Sequence, residues 1–141
     1  VDTSTVFAAV DVLPSLCVLA QASVPTDATL DGRDLSAALL GRSVGPRAQP
    51  LFWEYGRNAT AFNYPAGRDR SPNLATRDGK WKLMDPNRKK GRIELFDIVA
   101  DPAESENLAS RHPEVVKRLT GKIAMWNATL PKEYTKSNDK D

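Results

Sequence analysis

The sequence predicts an α+β fold, in which a small antiparallel sheet of four strands is packed by a C-terminal helix. Three observations lead there. Asp78-Gly79 is a two-residue hairpin signal between the extended segments 73–77 and 80–84, because a type I′ turn needs a positive φ that glycine accepts without strain. Leu51-Phe52-Trp53-Glu54-Tyr55 and residues 93–98 are rich in the aromatic and branched side chains that favour strands. His112-Pro113-Glu114 opens a helix with proline in its first turn, and Val116, Leu119, Ile123, Trp126 and Leu130 then recur at helical spacing, giving one apolar stripe for the sheet.

Ahead of the first strand the pattern is helical. Residues 6–22 are apolar nearly all round, with Pro14 suited to a first helical turn, so a helix here is expected to need burial on most sides. Residues 23–32 read as a loop. Asp34 is a candidate N-cap for a short helix over 35–40, which Gly41 stops. The linker 42–49 carries Gly and Pro, and after the fourth strand Asp101-Pro102 marks a turn before a short helical or irregular segment over 104–109. From Lys132 onward the chain is a polar tail.

A chain of 141 residues supports one core. Its net charge of +2 arises from 20 basic and 18 acidic residues spread along the chain, so it lacks the field of a nucleic-acid binder, and no apolar run is long enough for a membrane helix. The densest basic run, Arg88, Lys89, Lys90 and Arg92, reads as a solvated hairpin loop rather than a polyanion site. With one cysteine no internal disulfide can form, and Cys17, inside an apolar run, reads as structural filler. The start, Val1-Asp2-Thr3-Ser4-Thr5, has neither an initiator Met nor a charged region before an apolar run, which leaves room for a natural beginning upstream.

The search for chemistry returns no catalytic and no metal-ligating set. The single histidine, His112, stands before Pro113 at a helix start, where capping or a surface role is expected, so neither a Ser/His/Asp triad nor a zinc site can be built from the usual residues. Asp31 with Asp34, and Asp101 with Glu104, flank a helix start and a turn, and neither pair has calcium-loop spacing. The segment 56–71 is the exception. Hairpin loops usually run to about two to five residues, and much longer ones are commonly functional or disordered. Phe62 and Tyr64 can stack on a sugar or aryl ring, while Arg57, Arg68 and Arg70 offer planar forks suited to sulfate or carboxylate. A solvated surface loop is the competing reading.

Six segments, in order, resemble the C-terminal part of the sulfatases, the formylglycine-dependent family on the alkaline-phosphatase-like scaffold. Val10-Asp11-Val12-Leu13-Pro14-Ser15-Leu16 resembles the family's Val-Asp-Leu-x-Pro-Thr-Leu helix, and Leu30-Asp31-Gly32-Arg33-Asp34-Leu35 its Leu-Asp-Gly-x-Asp-Leu turn. Pro50-Leu51-Phe52-Trp53-Glu54 and Ala75-Thr76-Arg77-Asp78-Gly79-Lys80-Trp81-Lys82-Leu83 are similar to its penultimate strands. Glu94-Leu95-Phe96-Asp97-Ile98 and Asp101-Pro102-x-Glu104-x-x-Asn107-Leu108-Ala109 resemble its Glu-Leu-Tyr-Asp-Leu and Asp-Pro-x-Glu-x-x-Asn-Leu-Ala segments.

The resemblance implies an organisation in three parts: residues 1–45 as the helical end of a catalytic α/β domain, whose apolar helix would dock on that larger domain; 46–131 as the C-terminal subdomain; and 132–141 as the tail. It implies calcium and formylglycine for the intact enzyme and none in this chain. Cys17 is followed by Val18-Leu19-Ala20 and not by the Cys/Ser-x-Pro-x-Arg pattern of the formylglycine precursor, and Pro14-Ser15 lacks that pattern's Arg. The expected contribution is scaffold and substrate rim, with Arg57, Tyr64, Arg68 and Arg70 as the rim candidates. Expected partners are the N-terminal catalytic domain of the same protein and a sulfated small molecule or glycan, with self-association through an exposed apolar face as a further possibility. Two other readings stay open: a stand-alone binding module, and the same part of a phosphate or phosphonate monoester hydrolase. Two Asn-x-Thr sequences, at Asn58 and Asn127, would be glycosylation acceptors in a eukaryotic secretory setting, and the frequent export of sulfatases implies a periplasmic or secreted setting as the expectation of the resemblance.

Overall fold

The computed structural model describes residues 5–24, 27, 29–54, 74–86 and 92–130. The chain forms two compact units, Val1–Ala48 and Gln49–Asp141.

In the first unit a single 3-10 turn, Ala9–Asp11, runs into helix α1, Val12–Leu19, which places Pro14 in the first turn where its missing N–H costs nothing. The helix ends as Gln21 takes a positive φ of 53° and the Ala22 N–H donates back to the Cys17 carbonyl at 2.8 Å. Helix α2 is one turn, Ser36–Leu39. The Asp34 Oδ1 accepts the Ser36 N–H at 2.8 Å, and that bond holds its carboxyl below the usual range. Gly41, at φ 75°, closes the other end, its N–H donating to Ala38 and the Arg42 N–H to Ala37, both at 2.9 Å.

Helix α1 departs from the expectation of burial on most sides. Pro14 and Ser15 are buried, whereas Leu13, Leu16 and Val18 are each about half exposed and Val12 and Leu19 only slightly less so. Cys17 is half-buried rather than a core residue.

The second unit is an antiparallel meander. Strands β1 (Leu51–Glu54), β2 (Leu74–Asp78), β3 (Trp81–Asp85) and β4 (Glu94–Asp97) lie in the order β1-β2-β3-β4, and helix α3, Pro113–Thr129, packs on one face. The register aligns Phe52, Thr76, Leu83 and Leu95 across the sheet on one face. Against that face α3 presents Leu119 and Ile123, and these two with Leu74, Leu83 and Leu95 form the core. Val116 and Trp126 of the expected stripe pack at its margin, and the Trp126 ring stacks on Phe52 with centroids 5.1 Å apart. This is the α+β arrangement expected from the sequence.

The hairpin is present, but its register differs by one residue from the expectation. Asp78 pairs with Trp81, so the two loop residues are Gly79 and Lys80. Gly79 has φ 60° and Lys80 is not in the positive region, the pattern of a type II′ turn, which needs positive φ at its first position only. Keeping Asp78 in the strand sets it on the same face as Thr76, where α3 meets it: Oδ2 accepts from Lys122 Nζ at 2.8 Å and from Arg118 Nη1 at 2.5 Å. Burial alone would raise that carboxyl, and the hydrogen bonds from Lys122 and Arg118 outweigh it, leaving the pKa below its ordinary value.

Candidate functional site at one end of the sheet

An antiparallel meander has two ends, and here they differ in chemistry. At one end lie the Gly79-Lys80 turn, Trp81 and Asp97. This end is tied down. Lys80 Nζ donates to Asp97 Oδ2 at 2.7 Å and sits 4.6 Å from the Trp81 ring centroid, while Asp97 also caps the turn after β4 by accepting the Val99 and Ala100 N–H groups. The Lys80 bond above all, and then that cap, hold the Asp97 carboxyl below its ordinary range. His112 makes no side-chain cap; its ring lies tilted against Trp81 at 5.0 Å, with Nδ1 3.5 Å from Glu114 Oε1.

The other end carries the last residues of β1 and β3 and the first of β2 and β4. Glu54 pairs with Leu74, Leu74 with Asp85, and Glu94 with Met84. From this end the chain leaves β1 at Glu54 and re-enters β2 at Leu74, and it leaves β3 through Asp85 and Pro86 and returns at Arg92. The segment holding Arg57, Tyr64, Arg68 and Arg70 and the run Arg88, Lys89 and Lys90 are therefore both rooted at the same end of the sheet. All seven of those residues lie outside the described residues. Close by in the sequence, Trp53 stands 45% exposed next to Glu54 on the edge strand.

The segment from Asp101 to Ala109 serves as a clasp. Asp101 accepts the Ser105 N–H at 2.7 Å, the Ser105 hydroxyl at 3.0 Å and the Glu106 N–H at 3.0 Å, bonds that keep its carboxyl below the usual range, the Glu106 bond first. Glu104, in the left-handed region at φ 55°, takes both of its oxygens to Lys82 Nζ at 2.6 and 2.7 Å. The Asn107 side chain works as a strand for β4: its Oδ1 accepts the Leu95 N–H at 3.2 Å and the Ala109 N–H at 2.9 Å, its Nδ2 donates to the Ile93 carbonyl, and the Leu108 N–H donates to the Leu95 carbonyl at 2.7 Å. These bonds occupy backbone groups that an edge strand would otherwise offer to another chain.

The first unit has its own polar centre, which sequence reading missed. Asp11 is fully buried, and its carboxylate accepts the Ala8 N–H at 2.8 Å, the Arg33 N–H at 3.0 Å and two bonds from the Arg47 guanidinium, at 2.5 and 3.1 Å. The Ser15 hydroxyl donates to the Asp11 carbonyl and accepts the Leu35 N–H, and Arg33 reaches the Gly45 and Pro46 carbonyls. Gly32 is required for the approach, since a Cβ there would lie 1.8 Å from the Val10 carbonyl oxygen. The signal available in the sequence was an aspartate inside an apolar helix, a residue type that is almost never fully buried unless it is paired.

None of these groups makes a reactive constellation. Among the described residues no three His, Cys, Asp or Glu side chains gather as a metal site, and no helix is long and apolar enough to cross a membrane. Nor do the described residues fit a formylglycine centre: Cys17 sits in α1 ahead of Val18, Leu19 and Ala20, and Asp11 and Asp101 are engaged by backbone N–H groups, Arg47 and Ser105.

No family model matches the chain. It is 27% identical over 127 residues to an N-acetylgalactosamine-6-O-sulfatase of Bacteroides thetaiotaomicron, a match covering 81% of this chain and 22% of that protein. It is 34% identical over 142 residues to human arylsulfatase A, covering 83% of this chain and 26% of that protein. Among solved structures, a protein in complex with its substrate D-glucosamine-2-N,6-O-disulfate superposes with a TM-score of 0.56 at 22% identity over 87% of this chain and 25% of that one, a likeness of fold. The sequence relatives thus mark this as a sulfatase-type C-terminal region. The chain belongs to the sulfatases, and it matches their C-terminal part, about a quarter of the length of the relatives.

Proposed function

We propose that this chain supplies scaffold and substrate rim to a sulfatase whose intact form hydrolyses sulfate esters of a carbohydrate or an aryl alcohol, and that it is inactive alone. The observation that carries the reading is the division of labour among the matched segments. Their described side chains close turns, cap strands and bury ion pairs, while the long arginine-bearing segment and the basic run leave from one end of the sheet. The carbohydrate arm draws on the name of the Bacteroides relative, and the aryl arm on that of the human one.

The calcium and formylglycine that the family implies would be held by the N-terminal portion; formylglycine supplies the nucleophile of ester hydrolysis when present. This chain's residues would orient substrate. Arg57, Arg68 and Arg70 would contact sulfate or carboxylate groups as charged, bidentate donors, and Tyr64 would stack on a ring. The test has two arms. Release of sulfate from an aryl sulfate is expected from the longer protein and not from the 141-residue chain. In the longer protein, alanine at Arg57, Tyr64, Arg68 or Arg70 is expected to raise KM about tenfold, which corresponds to roughly 1.4 kcal/mol of lost binding, and an unchanged KM and substrate preference would remove these residues from the rim.

A further inference from the structure

We propose that Asp31-Gly32 is a site of spontaneous backbone modification, where the aspartyl link converts to isoaspartyl through a cyclic imide, and that the conversion opens the latch formed by Asp11, Arg33 and Arg47. This chemistry is the chain's own and is independent of sulfate-ester hydrolysis. The sequence holds two Asp-Gly pairs, Asp31-Gly32 and Asp78-Gly79. A glycine nitrogen, with no side chain crowding it, can swing onto the carboxyl carbon of the aspartate before it. The nitrogen bonds to that Cγ and the Cγ–O bond breaks, the oxygen leaving with its own proton and the amide proton as water. A second water then adds to one of the two imide carbonyls and cleaves that carbon from nitrogen. One choice restores aspartate, and the other leaves the main chain running through Cγ. The mass is unchanged, and water is the only co-reactant.

The fold treats the two pairs differently. Asp78 is restrained on every side: its carboxylate accepts from Lys122 at 2.8 Å and from Arg118, its backbone pairs with Trp81, and Gly79 is committed to the turn at φ 60°. The ion pairs hold the carboxylate towards α3 in its charged form, whereas imide closure needs the protonated acid turned towards the next nitrogen. Asp31 has none of these restraints. It lies exposed in a bend, and among the described residues neither its carboxyl nor the Gly32 N–H has a hydrogen-bond partner.

The consequence falls on the tightest backbone of the first unit. Gly32 lies so close to Val10 that a Cβ would stand 1.8 Å from the Val10 carbonyl oxygen, and the adjacent Arg33 N–H donates to Asp11 Oδ1 at 3.0 Å. An isoaspartyl link inserts a methylene into the main chain directly ahead of both contacts and moves the free carboxylate onto the α-carbon. The Arg33 N–H is then displaced from Asp11, which is left to Arg47 and the Ala8 N–H.

The test is to age the longer protein that carries this chain at mildly acidic pH, folded and in urea, and to cleave it after glutamate. Cleavage separates the two pairs into the fragment that ends at Glu54 and the fragment 55–94. Isoaspartate in each is counted with protein isoaspartyl methyltransferase and labelled S-adenosylmethionine, and its position is read by electron-transfer fragmentation. In the folded protein it is expected to accumulate at Asp31 at least about tenfold faster than at Asp78, where a strand and an ion pair must open first; in urea the two rates should converge. Equal rates in the folded protein overturn the proposal. So does an unreacted Asp31 over a period in which the urea-treated protein reacts, since the packing of Gly32 would then hold the backbone fixed. A ratio that persists in urea overturns it too, by assigning the difference to local sequence. The isoaspartyl fraction, separated by ion exchange, should show hydrogen exchange over residues 9–19 faster by about tenfold, and exchange equal to that of the unmodified fraction overturns the opening of the latch.

Discussion

The two units solve the burial problem in opposite ways. In the sheet unit, the apolar side chains of β2, β3, β4 and α3 face each other, and the polar groups form ion pairs and caps around them. In the helical unit, Asp11 and Ser15 are buried beside Leu35, and most apolar side chains of α1 are 40% or more exposed. The difference teaches that hydrophobic composition does not identify a core: the sheet unit buries its apolar stripe, while the helical unit leaves most of the apolar side chains of α1 exposed. Stability in the first should follow buried apolar volume, and in the second a buried hydrogen-bonded ion pair.

The largest effect expected is at the latch. Asp11→Ala leaves Arg47 buried without its partner, and the cost of breaking a buried pair is about 3 to 5 kcal/mol. Hydrogen exchange read by mass spectrometry should show α1 losing its protection. All three tryptophans, Trp53, Trp81 and Trp126, lie in the sheet unit, so the tryptophan-detected urea midpoint should hold. Leu119→Ala should do the converse: removing a fully buried side chain costs about 2 to 5 kcal/mol and moves the tryptophan-detected midpoint. Asn107→Ala, which uncaps the Leu95 N–H and frees the Ile93 carbonyl, should cost about 1 to 3 kcal/mol in the same melt and raise the tendency of β4 to pair with other chains.

Acid should act on the sheet unit through Asp78. Its folded pKa lies below the ordinary value of 3.8, so the stabilisation is fully present above that value and is lost as pH falls through the lower folded one. Asp97 and Asp101 titrate in the same direction. Urea midpoints taken downward from pH 6 should therefore fall below about pH 4, and Asp78→Asn should be less stable at pH 6 yet show a shallower acid decline. An equally steep decline in that variant would assign the acid response to other carboxylates.

Local signals in the sequence located most elements, because caps, turn glycines and the spacing of Val116, Leu119, Ile123 and Trp126 act over a few residues. The hairpin register escaped by one residue: Asp78-Gly79 and Gly79-Lys80 are both acceptable turns, and the partners that Asp78 meets in the observed register, Arg118 and Lys122, lie 40 and 44 residues away. The Asp11 latch escaped for the same reason, since Arg47 lies 36 residues downstream and any of several arginines could have served. The clasp was recognisable as a family pattern, but its physical role depends on Lys82 and Leu95, which only the fold brings to it. The rim residues were singled out from loop length and side-chain type, and what the fold adds is the sheet end from which their segment departs.

The contrast between the units is tested most directly by one polar substitution on the exposed side of α1, Leu16→Ser, compared with Leu119→Ser in the core. In the 141-residue chain, hydrogen exchange of α1 should change by no more than about 0.5 kcal/mol for the first, as for a surface site, whereas the tryptophan-detected midpoint should drop by several kcal/mol for the second. A large loss of α1 protection from Leu16→Ser in the 141-residue chain would show that Leu16 is already buried there, and would contradict the account.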